Sequence, residues 1–351
     1  MTDSLAAAYP LLADRLQKVP IADLPTPVST VRFDTAQGLR TMSIKHDDVS
    51  SAHYGGNKIR KLEYILQRAG ERGARRVATF GAVGSNHALA TAVFSVQLGF
   101  ECTCILTDQK KTPNISKTLN MHRRIGTEIV PYPGDADRLA TFRRYLQGRR
   151  SWVVPFGGSC WLGAVGFVNA GLELAAQIAA NEVPVPQRIY IANGTMGSAA
   201  GLLLGLTLAG LPAQVHAVRV VDRHITNTAS FVRLLRKTAL LLNRLDPSIP
   251  LSAADSRQLR WRDDFFAGGY AHWDGVTASA VSVARDKLGL ALEPTYTGKA
   301  MAALLHDLAA EDYAGENYLF WNTYNSRPLP VTSDRPLAAG NIPAEFMRYF
   351  D

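Results

Sequence analysis

Tyr54-Gly55-Gly56-Asn57-Lys58-Ile59-Arg60-Lys61-Leu62-Glu63-Tyr64 places a lysine where a tight glycine turn becomes an amphipathic helix. Glycine adopts backbone conformations closed to other residues, and the first turn of a helix offers unpaired N–H groups and the positive end of a dipole. An amine held at such a corner can capture a carbonyl, and an anion can sit on the N–H groups beside it. An aldehyde that carries a phosphate would suit both. Read alone, the run also fits a Gly-Gly turn before a basic, solvated helix, and the downstream sequence decides between the two readings.

Three further segments supply the other parts of such a site. Gly81-Ala82-Val83-Gly84-Ser85-Asn86-His87 joins an apolar run at 77–80 to a helical pattern carried by Ala88, Ala92, Val93 and Val96. Ser85, Asn86 and His87 therefore sit at a strand-to-helix corner whose N–H groups can hold a carboxylate. Arg188-Ile189-Tyr190-Ile191-Ala192 reads as a buried strand entering Asn193-Gly194-Thr195-Met196-Gly197-Ser198-Ala199-Ala200-Gly201, where small residues let the backbone close around a phosphate. Glu293-Pro294-Thr295-Tyr296-Thr297-Gly298-Lys299-Ala300-Met301 sets a phenol and a hydroxyl side by side before another helix.

Between these motifs, short apolar runs alternate with segments of helix length. Runs at 77–80, 102–106, 128–131 and 152–155 form one series, and runs from Ile189 through 215–221 to 318–321 form a second. That alternation predicts parallel sheets with crossover helices, and two series predict two lobes. The segment 223–245 is helical in composition and carries Leu234, Leu235, Leu240, Leu241, Leu242 and Leu245, more apolar surface than one face of an isolated helix needs. Both core packing and a dimer contact would use it.

At 351 residues, 47% hydrophobic and 19% charged, the chain has the balance of a globular enzyme with ample core. No uninterrupted apolar stretch of about 18 residues occurs, which argues against a membrane span. The first residues, with Asp3, Asp14 and no long apolar segment, lack the layout of a secretory signal. Cys102, Cys104 and Cys160 are too few for a disulfide framework and suit a reducing compartment. Alternation points Cys102 and Cys104 to one face of a strand, without the further ligands a zinc site requires. The net charge of +8 raises nucleic-acid binding. The basic pairs Arg75-Arg76, Arg123-Arg124, Arg143-Arg144 and Arg149-Arg150 are instead dispersed and lack interleaved aromatics, the pattern of solvated helix faces.

Taken in order, the motifs resemble the family of 1-aminocyclopropane-1-carboxylate deaminase and D-cysteine desulfhydrase, pyridoxal-phosphate enzymes that share the tryptophan-synthase-β-like fold. The likeness begins near Leu24-Pro25-Thr26-Pro27 and runs through Ile44-Lys45-His46-Asp47-Asp48 into the glycine-lysine turn. It includes Phe156-Gly157-Gly158-Ser159 and reaches Tyr296-Thr297-Gly298-Lys299. It implies an α/β, fold-type-II molecule with two lobes, each a mostly parallel sheet flanked by helices. Residues 1–60 and 165–351 would form a large pyridoxal-phosphate-binding domain, with 61–164 inserted as the small one and Lys58 inside the cleft. A cytoplasmic homodimer that acts on a small amino acid, with no nucleic-acid, membrane or metal partner, completes the expectation.

The resemblance also distributes roles. Lys58 would be the Schiff-base lysine and, once freed, the base, while Lys61 one helical turn on would reach the phosphate. Asn86 would hydrogen-bond the phenolic oxygen of the ring. Ser85, counted also among the catalytic groups, would grip the substrate carboxylate together with Asn86 and His87. Gly194, Thr195, Met196, Gly197 and Ser198 would hold the phosphate. Tyr296 and Tyr270 match the two active-site tyrosines, although a tyrosine such as Tyr270 is otherwise a common core residue. Cys160 would lie along the cleft.

Thr297 would face the pyridine nitrogen, at a position where the cyclopropane deaminases carry glutamate. A hydroxyl cannot keep that nitrogen protonated as a carboxylate does, which suits elimination of a ready leaving group better than storage of a full carbanion. His87 agrees with the desulfhydrase branch, where the deaminases have glutamine. The expected reaction is therefore β-elimination giving a keto acid and ammonia. Cyclopropane ring opening is the alternative, and a non-catalytic binding or regulatory protein on the same fold is a more distant one. Leu89-Ala90 stands where the desulfhydrases have an arginine-glutamine pair, and Tyr324-Asn325 where they have paired glycines. These departures leave D-cysteine, a chlorinated alanine, a sulfonated analogue and other amino acids open as substrate.

Overall fold

A computed structural model describes residues 3–35, 38–132, 140–141, 150–310, 316–328 and 341–350. Arg143, Arg144 and Arg149 lie outside the described residues. The chain opens with two short helices, α1 (Ser4–Ala8) and α2 (Leu11–Arg15), and an antiparallel hairpin, β1 (Val28–Thr35) and β2 (Gly38–His46). It continues through α3 (Lys58–Glu71), β3 (Arg76–Ala82), α4 (Asn86–Gln97), β4 (Glu101–Thr107), α5 (Ile115–Arg124), β5 (Glu128–Pro131) and β6 (Ser151–Val154). Next come α6 (Trp161–Ala179), β7 (Arg188–Asn193), α7 (Gly197–Leu208), β8 (Gln214–Arg219), α8 (Thr228–Leu245) and β9 (Leu259–Arg262). The last elements are α9 (Gly275–Leu288), α10 (Thr297–Leu308) and β10 (Tyr318–Asn322).

Two sheets result. One has the order β1-β2-β10-β7-β8-β9 and is parallel except for the β1–β2 hairpin at its edge. The other, β5-β4-β3-β6, is wholly parallel. Parallel strands need crossover helices on their faces, so central strands such as β7 and β10 are buried almost throughout. This is the predicted alternation; the hairpin and β9 were not anticipated. In β1 the apolar Val28, Val31 and Phe33 are interleaved with Ser29, Thr30, Arg32 and Asp34, and in β9 with Arg260 and Arg262, because both strands are sheet edges with a wet side.

Each sheet has its own core. Phe167, Ile191, Leu203 and Trp321 belong to the first, and Leu62, Phe94 and Leu106 to the second, where Phe346 and Tyr349 from the end of the chain also pack. Helix α6, at 19 residues, is long and apolar enough to cross a membrane, yet it is mostly buried as a core helix. Small residues let its neighbours touch its backbone. A Cβ on Gly166 would stand 2.0 Å from the Arg60 carbonyl oxygen of α3, and one on Gly201 2.1 Å from the Ala164 carbonyl oxygen. In α8, Leu235 and Leu242 are buried and Leu234, Leu241 and Leu245 pack partly against the same core, leaving Leu240 38% exposed. Cys102 and Cys104 lie buried with their sulfurs 4.0 Å apart, on one face as the alternation requires.

A fully buried ion network ties the elements together just behind Lys58. The Arg60 guanidinium donates to both Asp47 oxygens (3.0 and 2.8 Å), both Glu173 oxygens (2.9 Å each) and Thr26 Oγ1 (2.9 Å). Lys45 Nζ donates to Glu173, to the Thr26 carbonyl (2.7 Å) and to Gln177, and Trp321 Nε1 donates to Asp47 Oδ2 (2.8 Å). Two cations face two carboxylates, so the charge cancels and every heavy donor finds an acceptor. Burial alone would raise the Glu173 carboxyl, but Arg60 and then Lys45 hold it down at about 2.

Glu173 therefore contributes stability that is fully present above the ordinary glutamate range and is lost as pH falls toward about 2. Glu173→Gln should cost about 3 kcal/mol near neutrality, because it strands Arg60 and Lys45. It should also flatten the fall in stability between about pH 5 and pH 3, measured by urea unfolding. An unchanged acid limb in the variant would show that other carboxylates govern it.

Candidate active site

The C-terminal ends of the strands in both sheets face one cleft, where parallel α/β sheets bind their ligands. The cleft holds a cavity of about 800 Å3. Of the residues assigned from the sequence, Lys58, Lys61, Ser85, Asn86, His87, Gly194, Thr195, Met196, Gly197, Ser198, Tyr270 and Tyr296 all line it. Thr297 does not.

Lys58 begins α3 directly after a turn that only glycine permits. A Cβ on Gly55 would stand 1.9 Å from the Asp48 carbonyl oxygen, and Gly56 has φ of +102°. Lys58 Nζ donates to Asn57 Oδ1 (2.7 Å) and lies 5.9 Å from the centroid of the Tyr296 ring. Asn57 in turn donates to Ser198 Oγ (2.9 Å), so the lysine and the 194–198 loop share one hydrogen-bond chain. Burial pushes the Lys58 amine down to about 8, against the pull of Glu293. A neutral amine is thus within reach at ordinary pH, as a nucleophile or base requires.

Lys61 Nζ donates to the Gly157 carbonyl (3.0 Å) and Ser159 Oγ (3.3 Å). Ser159 also accepts from the Gly197 N–H (3.1 Å) and bonds Thr195 Oγ1 (2.7 Å). Lys61 is thereby braced against the 194–198 loop, its amine pushed well down by burial and by Lys58. Met196 adopts a left-handed conformation (φ +67°) to turn the chain into α7, and a Cβ on Gly197 would meet Ser159 Oγ at 2.5 Å.

On the opposite side, Ser85 caps α4, its Oγ accepting the Ala88 N–H (3.2 Å). The Asn86 and His87 amides occupy the first turn, where no intrahelical acceptor exists. The His87 ring is buried, with Nε2 2.9 Å from Thr79 Oγ1. Burial, with Lys58 and Lys61 adding to it, keeps the ring neutral, since its pKa falls well below the usual histidine range. The Thr79 hydroxyl also donates to the Val154 carbonyl (3.0 Å).

Tyr270 and Tyr296 meet edge to face with centroids 5.7 Å apart, and burial raises both phenols. The loop that carries Tyr270 is held by Lys299, whose Nζ donates to the Phe266 (2.6 Å) and Gly269 (2.7 Å) carbonyls.

Thr297, expected to face the pyridine nitrogen, is directed by its hydrogen bonds onto Glu293. It is fully buried, its hydroxyl accepting the Glu293 N–H (3.1 Å) and donating to the Glu293 carbonyl (3.2 Å). Glu293 itself lines the cavity, its carboxylate accepting the N–H groups of Thr295 (2.8 Å), Tyr296 (2.8 Å) and Thr297 (2.9 Å). It caps α10, and burial still raises its carboxyl despite those donors. The acidic residue before a helix start was the available signal. Cys160 likewise stays off the cavity and caps α6 through the Gly163 N–H (3.3 Å). Among the departures, Leu89 and Ala90 are buried in the core of the second sheet, whereas Tyr324 and Asn325 do line the cavity.

A family model described as pyridoxal-phosphate dependent enzyme matches residues 20–323. The chain belongs to that family. It is 33% identical over 310 residues to a D-cysteine desulfhydrase of Salmonella paratyphi A, covering 85% of this chain and 90% of the relative. It is 30% identical over 346 residues to the nocardicin C-9' epimerase of Nocardia uniformis subsp. tsuyamanensis, covering 96% and 99%. Among solved structures, an ACC deaminase homologue superposes with a TM-score of 0.75 at 28% identity, covering 92% of this chain and 95% of that one. A threonine deaminase at 16% identity and a TM-score of 0.61 shares the fold, fold type II of these enzymes.

Pyridoxal phosphate is the cofactor, and the cleft fits it. Asn193, 1% exposed at the end of β7, has neither its side-chain oxygen nor its nitrogen bonded among the described residues. Such an amide is costly in a finished core and marks a face built for a ligand. The start of α7 beside it suits a phosphate, and Lys58 an aldehyde.

Two variants check this geometry. Gly194→Val, whose Cβ meets nothing nearer than Tyr296 at 3.5 Å, should weaken cofactor retention on dialysis, read by absorbance, far more than it lowers the melting temperature of the cofactor-free protein. Thr297→Glu should destabilise that protein by at least about 2 kcal/mol, since it sets a second carboxylate against Glu293. A stabilised variant would mean that Thr297 faces a cation.

Proposed function

We propose that this enzyme catalyses β-elimination and deamination of a small amino acid to a keto acid and ammonia, in the manner of a D-cysteine desulfhydrase. The observation that carries the reading is the Lys58 amine, poised near 8 between the Ser85–Asn86 corner and the 194–198 loop. The desulfhydrase at 33% identity supports it.

When bound, the cofactor draws electron density from the substrate's α-carbon and makes its proton labile. Lys58, its Nζ held by Asn57 Oδ1, would hold the cofactor at its aldehyde and, once released, would be placed to take the α-proton. As that proton leaves, its electron pair forms the Cα=Cβ bond and the Cβ–S bond breaks toward sulfur. The released aminoacrylate takes up water to give pyruvate and ammonia. Ser85, Asn86 and the first-turn amides of α4 orient the carboxylate. The paired phenols of Tyr270 and Tyr296 stand beside Lys58 and can hand a proton to the departing group. Lys61 and Ser198 hold the phosphate end. The expected setting is a cytoplasmic homodimer with residues 61–164 as the inserted small domain.

Two other outcomes draw on the same electron sink, epimerisation from the same α-proton and cyclopropane ring opening from an α-carbon that carries no hydrogen. The ACC deaminase homologue keeps cyclopropane ring opening in view. The epimerase, matched over nearly the whole chain, favours return of the proton to the other face of Cα as a second reading.

One experiment separates them. The purified enzyme in heavy water receives D- and L-cysteine, β-chloro-D-alanine and the cyclopropane amino acid, with ammonia and α-deuterium both measured. Ammonia from the first three substrates with little from the last supports elimination. Deuterium at Cα with inversion and no ammonia would move the chain to epimerisation. Lys58→Ala should lower turnover by at least about 1,000-fold while the fold survives, and borohydride should fix the cofactor on Lys58, read by peptide mass. Fixation on Lys61 would shift the assignment by one helical turn.

A further inference from the structure

The cavity extends well past the groups that make and break bonds, and the excess is apolar. Ligand pockets that enclose a drug-sized molecule run from roughly 300 to 1,000 Å3, and this one is about 800 Å3. One wall crosses the C-terminal edge of the second sheet. Phe80 of β3 is paired with Ile105 of β4, Ile105 with Val130 of β5, and Tyr132 follows at the strand end. Phe80, Ile105 and Tyr132 all face the cavity, and Phe156 extends the row with its ring centroid 5.6 Å from that of Phe80. The wall adjoins the Ser85–Asn86 corner, because Phe80 leads directly into that turn. Across the cleft, Ile225 and Val221 add apolar surface beyond β8.

Two details say that a ligand covers this wall. Phe156 is 40% exposed and Ile225 42% exposed, although both line a concave site rather than a convex surface. The Tyr132 side chain is 7% exposed and its hydroxyl has no partner among the described residues, so an apolar wall offers one unspent hydrogen bond. A thiol no larger than that of cysteine would leave the row bare.

We propose that the leaving group of the true substrate carries an aromatic-sized apolar substituent seated on Phe80, Ile105, Tyr132 and Phe156, with a polar atom that meets the Tyr132 hydroxyl. The substrate class is a β-substituted alanine, such as an S- or O-arylmethyl derivative of cysteine or serine. This rests on the elimination reading. With S-benzylcysteine the Cβ–S bond breaks, the sulfur leaves with the electron pair and takes a proton as benzyl thiol, and water converts the aminoacrylate to pyruvate and ammonia.

The test compares kcat/KM for S-benzylcysteine and cysteine, each as both enantiomers, with the holoenzyme. It adds inhibition or calorimetric binding by phenylalanine and alanine, which lack a leaving group. S-benzylcysteine should be preferred at least tenfold, and phenylalanine should bind at least tenfold more tightly than alanine of the same hand. Phe80→Ala should reduce the first ratio. Faster turnover of cysteine, with phenylalanine no tighter than alanine, overturns the inference and leaves elimination standing. Ammonia from neither cysteine substrate, with phenylalanine still preferred tenfold, removes the elimination reading and retains the aromatic wall.

Discussion

Everything near Lys58 is referred to the guanidinium of Arg60, two residues further along the same helix. Its three nitrogens reach Asp47 before the glycine turn, Glu173 on α6 and Thr26 ahead of β1, all out of contact with water. Lys45 on β2 and Trp321 on β10 bond to the same two carboxylates. The start of α3 is therefore fixed to the first sheet, although α3 packs mainly in the core of the second. Close approach makes this possible, because Gly166 lets α6 touch the Arg60 carbonyl itself. A buried pair of this kind is weak evidence for stability as such, since apolar packing often does as well. Here it has a directional use: a planar fork locked on two carboxylates sets the helix's rotation and thereby the direction in which Lys58 points.

The electrostatics of the cleft are asymmetric. Lys58 and Lys61 both lie in it and disfavour each other's charge, while Glu293 is the carboxylate that pulls the other way on Lys58. No salt bridge joins Glu293 to either lysine among the described residues. Its oxygens are taken up by three backbone N–H groups, so it acts on Lys58 through its field rather than by contact. An amine partly relieved of its proton but held by Asn57 is the state a nucleophile needs, and a tight ion pair would abolish it. The same carboxylate positions Tyr296, because that residue's N–H is one of the three it accepts. Charge and geometry at the reacting end thus trace to a single side chain.

Much of this was legible in the sequence, and the reasons are local. Glycine-rich corners after apolar runs fix where strands become helices, so the turns at 55–58, 81–87 and 193–198 and the alternation of both sheets could be read from order alone. Edge elements were not readable: β1 mixes Arg32 and Asp34 with Val31 and Phe33, and β9 has arginines at alternate positions, so neither stands out as a buried run. The partners of Thr297 were not readable either. Adjacency to Tyr296 does not tell which face of a helix start a side chain occupies, and the first turn of α10 directs the Thr297 hydroxyl back onto Glu293. Asn193 and Glu293 open two of the motifs and Tyr132 lies in none, yet no role was read for any of them; what marks them is burial with unmet or unusual partners, which the folded arrangement shows.

The mouth of the cleft is built on a different energetic scale from its floor. The loop after β4 reaches across to the first sheet's side through two contacts: Asn114 Nδ2 donates to the Tyr324 hydroxyl (3.2 Å), and Lys110 Nζ lies 5.7 Å from the centroid of the Trp273 ring. A partly exposed hydrogen bond is worth about 1 kcal/mol and an exposed cation–π contact about 0.5–1 kcal/mol. On its own side the loop is held more firmly, with the Tyr349 hydroxyl donating to the Gln109 carbonyl (2.8 Å) and Gln109 Oε1 accepting the Gly84 N–H (3.2 Å). Separating the two rims at Tyr324 and Trp273 therefore costs about 2 kcal/mol, whereas stranding one partner of the Arg60 network costs roughly 3–5 kcal/mol. The departure at Tyr324 consequently matters for entry and for the shape of the pocket, and the lysine beneath it keeps its position whichever way the rim stands.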